Sequence, residues 1–256
     1  GPNGFTSTHQ NPSLGTVTSA NNGNYIVTGN VLSGVNLLTN GDFELGNSGD
    51  LGFGTSYVHQ QNAPEPQKGN YWVCRNPQDV YSGFTNRGDH TSGTGYQMVV
   101  DGGTSTGMIV WSQTVSVVPN ASFQFSYWVQ TVYNNANLAK LQLYINNVPI
   151  GNVFSAPAYN LGWQKFSYNA NSMGNSTLQL TLINTSLEPN GNDFSLDDID
   201  LQQVLQVKDT VVLAVIPTLT PSVTVTPSEN PSYSGTLVTF TANVVNVGPS
   251  YSYQWQ

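Results

Sequence analysis

Hydrophobic and polar positions alternate with period two through much of residues 34–206, the pattern of strands that turn one face to a core. In Ser122–Thr131, Phe123, Phe125, Tyr127 and Val129 fall on one face and Gln124, Ser126, Trp128 and Gln130 on the other. Leu141, Leu143 and Ile145 alternate with Gln142, Tyr144 and Asn146, and Leu178, Leu180 and Leu182 repeat the pattern. Further strands are expected at Asn36–Leu45, Tyr96–Asp101, Ile109–Val117, Gln164–Tyr168 and Phe194–Leu201. Strands without intervening helices build a sandwich, here expected to have jelly-roll topology.

The flanks read differently. Residues 1–33 are polar and turn-rich, with a short strand candidate at Tyr25–Thr28; they form either an added strand or a half-ordered leader. Residues 207–221 hold the apolar run Val211–Ile216, either a last strand or a connector, followed by Pro217 and Pro221. Beyond it, Ser222–Pro227, Thr236–Val245 and Tyr251–Gln256 are expected to be strands of a second, smaller sandwich within 222–256. Three strands do not close two sheets around a core, so the chain is expected to be part of a longer protein.

Composition narrows the function. Of 256 residues only 8% are charged, with 6 Lys plus Arg against 14 Asp plus Glu and a net charge of −8. Few cations are available to neutralise phosphates, which argues against nucleic acid. No stretch approaches the roughly 20 apolar residues of a membrane-spanning helix. Polarity comes instead from 30 Asn, 25 Ser and 25 Thr, residues that favour turns over long helices. A single cysteine, Cys74, excludes an intramolecular disulfide and any CxxC metal site. This is the composition of a secreted surface protein.

Three segments carry a resemblance. Asn36-Leu37-Leu38-Thr39-Asn40-Gly41-Asp42-Phe43-Glu44 resembles the opening strand of bacterial carbohydrate-binding modules with the galactose-binding-like jelly roll. Gly88-Asp89-His90-Thr91-Ser92-Gly93-Thr94-Gly95-Tyr96 is similar to a stretch of MAM-type adhesion domains, and Asn192–Leu201 to the closing strand of the same superfamily. The tail from Pro221 to Gln256 resembles PKD/Ig-like repeats of long bacterial surface adhesins, including those of gliding bacteria. The resemblance implies an all-β galactose-binding-like jelly roll at 34–206, a 207–221 linker, and a truncated Ig/PKD-like sandwich. It also implies a structural Ca²⁺ held by Glu44, Asp89, the carbonyl region of Thr91 and one of Asp197 and Asp198. Adjacent carboxylates repel, and a cation with six to eight oxygen ligands removes that cost; alternation leaves the choice between the two aspartates open, because burying both Leu196 and Ile199 requires a bulge.

Sugars are held by flat aromatic faces beside amides. Trp128, with Gln124 and Gln130, and Tyr144, between Gln142 and Asn146, are turned away from the expected core, while the Tyr57–Tyr81 stretch adds His59, Trp72 and Arg75 as a rim. The competing reading covers that face with residues 1–33 or another strand. Catalysis has little support: His9, His59 and His90 lack metalloprotease spacing, and Cys74 has no evident partner. The expected function is a non-catalytic module of a secreted bacterial cell-surface adhesin that binds glycan or an external surface. The alternatives are a structural spacer or cap of an exported filament, or a segment docked by a secretion or surface-machinery protein.

Overall fold

The computed structural model describes residues 1–47, 50–61 and 67–256, so positions 62–66 of the expected Tyr57–Tyr81 rim lie outside the described residues. The chain divides into a unit of residues 29–207 and a second unit of residues 1–28 with 208–256. In chain order the strands are β1 (Gly23–Leu32), β2 (Val58–His59), β3 (Asn70–Cys74), β4 (Gln97–Val100), β5 (Met108–Ser116), β6 (Ser122–Thr131) and β7 (Lys140–Ile145). There follow β8 (Val148–Ser155), β9 (Gln164–Asn171), β10 (Thr177–Asn184), β11 (Phe194–Leu213), β12 (Ser222–Pro227) and β13 (Phe240–Val245).

Residues 29–207 form a two-sheet sandwich. One sheet has the order β2-β3-β4-β11-β6-β9, with β1 also pairing β11, and the other the order β5-β10-β7-β8. The alternation in the sequence sets the inner faces: Phe123, Phe125 and Tyr127 of β6, Leu141 and Leu143 of β7, and Leu178, Leu180 and Leu182 of β10 are buried in one cluster with Trp111, Met98 and Phe43. At roughly 1.5–3 kcal/mol for each fully buried large apolar side chain, this cluster is the main source of stability.

The bulge demanded by burying both Leu196 and Ile199 is present. Asp197 pairs with Trp128 and Asp200 with Ser126, so two residues of β11 stand opposite Tyr127. Asp198 takes a left-handed φ of 44°, and Leu196 and Ile199 both reach the core.

The expected strand at Asn36–Leu45 is not one. The side chain of Asn36 stands in for a peptide group beside β11, its Nδ2 donating to Ile199 O at 2.9 Å and its Oδ1 accepting from Leu201 N at 3.0 Å. The chain then turns through Asn40 and Phe43, both at positive φ, with Phe43 N donating to Asn40 O. A Cβ on Gly41 would lie 2.0 Å from Ile199 O, so only glycine permits this approach. Phe43 still plugs the core with no exposed surface.

In the second unit, β12 and β13 pair from Ser222↔Val245 to Pro227↔Phe240. The third strand expected over Tyr251–Gln256 is not formed, and the residues expected as a linker from 207 remain strand as far as Leu213. Among its described residues none is buried: two paired strands supply no opposing layer.

Candidate functional site

The outer face of the larger sheet is built from the polar half of each alternating strand. Register places Trp128 between Asp197 of β11 and Lys165 of β9, and Gln124 between Gln202 and Asn169. One half of this face is covered: Trp72 and Val99 pack under Val80, Phe84 and Val132 in a small second core. The half around Trp128, Gln124, Lys165 and Asn169 faces two open cavities.

Trp128 and Lys165 line the first, of about 420 Å³, with Asn36, Asn40, Asp42 and Asp200. Gln124 and Asn169 line the second, of about 490 Å³, with Asn30, Val31 and Leu32 of β1 along its side. Residues 29–32 thus border the face and leave it open. Four residues of extended strand separate Trp128 from Gln124, roughly 13 Å, so the cavities lie in line along β6.

The indole of Trp128 is partly occupied. The His90 imidazole stacks on it at 3.6 Å and 18°, and the Trp163 ring meets His90 edge-on at 6.1 Å. Trp163 Nε1 donates to Gly88 O at 3.0 Å, tying β9 to the 88–96 loop. Sequence reading missed Trp163, although its place just ahead of the polar-outward residues of β9 is a usable signal.

Several expected ligand-binding residues are elsewhere. Gln130 has no exposed surface; it accepts from Arg87 Nη1 at 2.9 Å and donates to Gln97 Oε1 at 3.0 Å. The loop over that half of the sheet supplies these partners, which alternation within β6 does not reveal. Trp72 is buried in the second core for the same reason. Tyr144 belongs to β7, opposite Thr181 and Pro149, and lies on the outer side of the other sheet. Arg75 covers the Tyr96 ring at 4.2 Å and donates to Thr94 O. His59 stacks on Tyr71 at 4.7 Å, bonds Asn47 Oδ1 at 2.6 Å, and is held below the usual imidazole pKa by burial. It sits on edge strand β2, four strands from β6 in the sheet order. The burial of Cys74, with Asp79 adding, pushes its thiol up to about 12, away from the thiolate form that a nucleophile uses.

The expected calcium residues gather around the 88–96 loop in two groups. Glu44 Oε1 accepts from Tyr96 N at 2.7 Å, while Asp89 accepts from Ser92 N at 2.7 Å and Gly95 N at 2.6 Å. Burial pushes the Asp89 carboxyl up, but the donors from Ser92, Gly95 and Thr91 outweigh it and hold the group below its ordinary range. A Cβ on Gly95 would sit 2.1 Å from Glu44 Oε1 and 3.1 Å from Asp89 Oδ2, which shows how closely these carboxylates approach. In the second group, Asp197 accepts from His90 N at 2.7 Å and Asp198 N at 2.8 Å. Asp198 Oδ2 bonds His90 Nδ1 and Thr91 Oγ1, each at 2.6 Å. Asp197 is pushed up to about 8, by burial first and then by its neighbours Asp198 and Asp89. Among the described residues, no group of three or more His, Cys, Asp or Glu is arranged to hold a metal ion.

No protein-family model matches the sequence, and no curated protein matches it. Among solved structures the chain is similar to the CBM22-1 xylan-binding domain of Paenibacillus barcinonensis Xyn10C, at 17% identity and TM-score 0.41, over 63% of this chain and 90% of that one. It is similar to TmCBM61 in complex with β-1,4-galactotriose, at 15% identity and TM-score 0.41, over 66% and 99%. It is also similar to a Stig cyclase, Fisc, from Fischerella sp. TAU, at 12% identity and TM-score 0.47, over 68% and 98%. By its own strand order and register, the chain is an all-β protein whose main unit is a two-sheet sandwich with one half of an outer face open.

Proposed function

We propose that residues 29–207 form a non-catalytic glycan-binding module, with the ligand laid along β6 from Trp128 towards Gln124. The observation that carries this reading is the aromatic ring of Trp128 lining an open cavity with the amides of Asn36 and Asn40 and the carboxylates of Asp42 and Asp200. Flat rings beside neutral hydrogen-bonding groups suit the alternating apolar and hydroxylated faces of a pyranose, and a preformed, strand-borne floor limits the ordering cost of binding. In this reading the protein is a secreted bacterial surface adhesin, and a calcium ion stiffens the edge of the face at Glu44, Asp89, Asp197 and Asp198. What supports the calcium is the crowding of Asp89, Asp197 and Asp198, a repulsion that a divalent ion would relieve by sharing carboxylates now held by amides. Retention on immobilised polysaccharides tests the module: Trp128→Ala is expected to abolish retention while thermal stability stays nearly unchanged. Lost stability with unchanged retention would make Trp128 a packing residue and end the glycan reading. For calcium, chelation is expected to lower Tm and Glu44→Ala to remove that response; an unaltered Tm would eliminate the site.

A second reading, docking to another protein as part of an exported filament, is favoured by the second unit. There Val211, Val212, Ile216, Leu219 and Leu237 are all exposed.

A further inference from the structure

Strand β4 ends and β11 begins at the pair Val100↔Phe194. The antiparallel ladder therefore sets the next two residues, Asp101 and Asp193, against each other, each only 8% exposed. Their carboxyls are close enough for each to act on the charge of the other, and Gly102 N donates to Asp193 Oδ1 at 3.3 Å. Two buried carboxyls this close cannot both ionise cheaply; they share a proton or take up a cation.

They open onto a cavity of about 370 Å³, distinct from the glycan face, whose other walls include Tyr81, Phe84, Tyr133 and Lys68. The rings are tilted against one another: Tyr81 meets Phe84 at 5.3 Å and 82°, and Phe84 meets Tyr133 at 6.3 Å and 66°. Aromatic walls alone would admit any hydrophobe, and carboxyls alone a proton or metal ion. Together they match a group that is both bulky and cationic, because ring faces and carboxylates attract the same charge while the rings also cover its carbons. A bare metal ion fits less well, since no third acidic, His or Cys ligand completes the site among the described residues. The exposed Lys68 ammonium, already attracted to both carboxyls, is a cation of the expected kind at the cavity mouth.

We propose that this cavity binds an organic ammonium group, its charge on the Asp101–Asp193 pair and its carbons against Tyr81, Phe84 and Tyr133. The empty pair keeps a proton, since burial and Asp101 raise Asp193 to about 8; cation uptake releases it, so affinity rises as pH increases towards 8. The other titratable groups at the site are Lys68 and the phenols of Tyr57, Tyr81 and Tyr133.

Calorimetric titration of the whole chain with choline, with glucosamine, and with the uncharged choline isostere 3,3-dimethylbutan-1-ol tests this. At least one of the two ammonium compounds is expected to bind at least tenfold more tightly than the alcohol. Tighter choline points to a quaternary head group and tighter glucosamine to an amino sugar, and both uphold the proposal. Equal binding of the alcohol, or no binding of any probe, overturns it. Asp193→Asn is expected to weaken the ammonium at least tenfold. Should that variant fail to fold, Lys68→Ala serves instead. Removing the competing cation is expected to tighten binding severalfold, and unchanged or weaker binding would overturn the proposal.

Discussion

Asn36 shows how much one side chain carries. Its amide both donates to Ile199 O and accepts from Leu201 N, so Asn36→Asp keeps the acceptor and loses the donor. Leaving a buried carbonyl unpaired costs about 1–3 kcal/mol, and the denaturant midpoint of Asn36→Asp is expected to fall accordingly. Gly41→Ala forces a methyl group against Ile199 O, 2.0 Å from the ideal Cβ position, where neither backbone yields cheaply. Overpacking of this kind costs about 1–3 kcal/mol, again read from the midpoint. Such residues were only half legible. Asn40-Gly41 fell inside a segment expected to be strand, and nothing in local pattern says that an amide will stand in for one. Gln130 misled for a related reason: alternation gives the side of the sheet a residue faces, and a distant loop decides whether that side is wet; Trp72, expected on a loop rim, lies instead in a strand beneath that loop.

At the scale of elements, period-two alternation located β5, β6, β7, β9 and β10 with small boundary shifts, because each turns one apolar face to the core and carries polar residues on the other. It passed over β3, whose Asn70, Tyr71, Trp72 and Val73 are all buried: a strand covered on both sides does not alternate. The end of β4 and the start of β11 carry the chain's clearest pH dependence. Burial first, and then the neighbouring Asp101, push the Asp193 carboxyl from an ordinary 3.8 up to about 8. The folded state then binds more protons than the unfolded one between those values, so stability falls as pH rises through that window. One proton sets a slope of at most about 1.4 kcal/mol per pH unit. Thermal melts across pH 4.5–8 are expected to show this decline, and Asp193→Asn to flatten it, with a remaining slope from Asp197, which is raised in the same direction.

Across the whole molecule, core is distributed unevenly. Residues 29–207 contain every buried side chain among the described residues, and 208–256 contain none. Local opening is governed by such burial, so hydrogen exchange is expected to protect amides of β5, β6 and β10 by orders of magnitude more than those of β12 and β13. Comparable protection in β12 and β13 would mean that this unit gains a covering layer in solution. The sequence disclosed the class of the fold and the polar character of the open face. It did not disclose which half of that face is roofed, since this depends on how the 75–96 loop lies, a long-range outcome that no local periodicity encodes.

The bulge at Asp198 has a consequence for how this chain can vary. Strike that residue out and Leu196, Asp197, Ile199, Asp200 and Leu201 fall into unbroken alternation, with Ile199 directly opposite Tyr127. The sandwich can therefore be spelled without Asp198, while the carboxylate that fixes His90 and Thr91 beside Trp128 cannot. A single-codon deletion separates the two: architecture is inherited from the letters around it, and the anchored loop edge beside Trp128 from one extra letter.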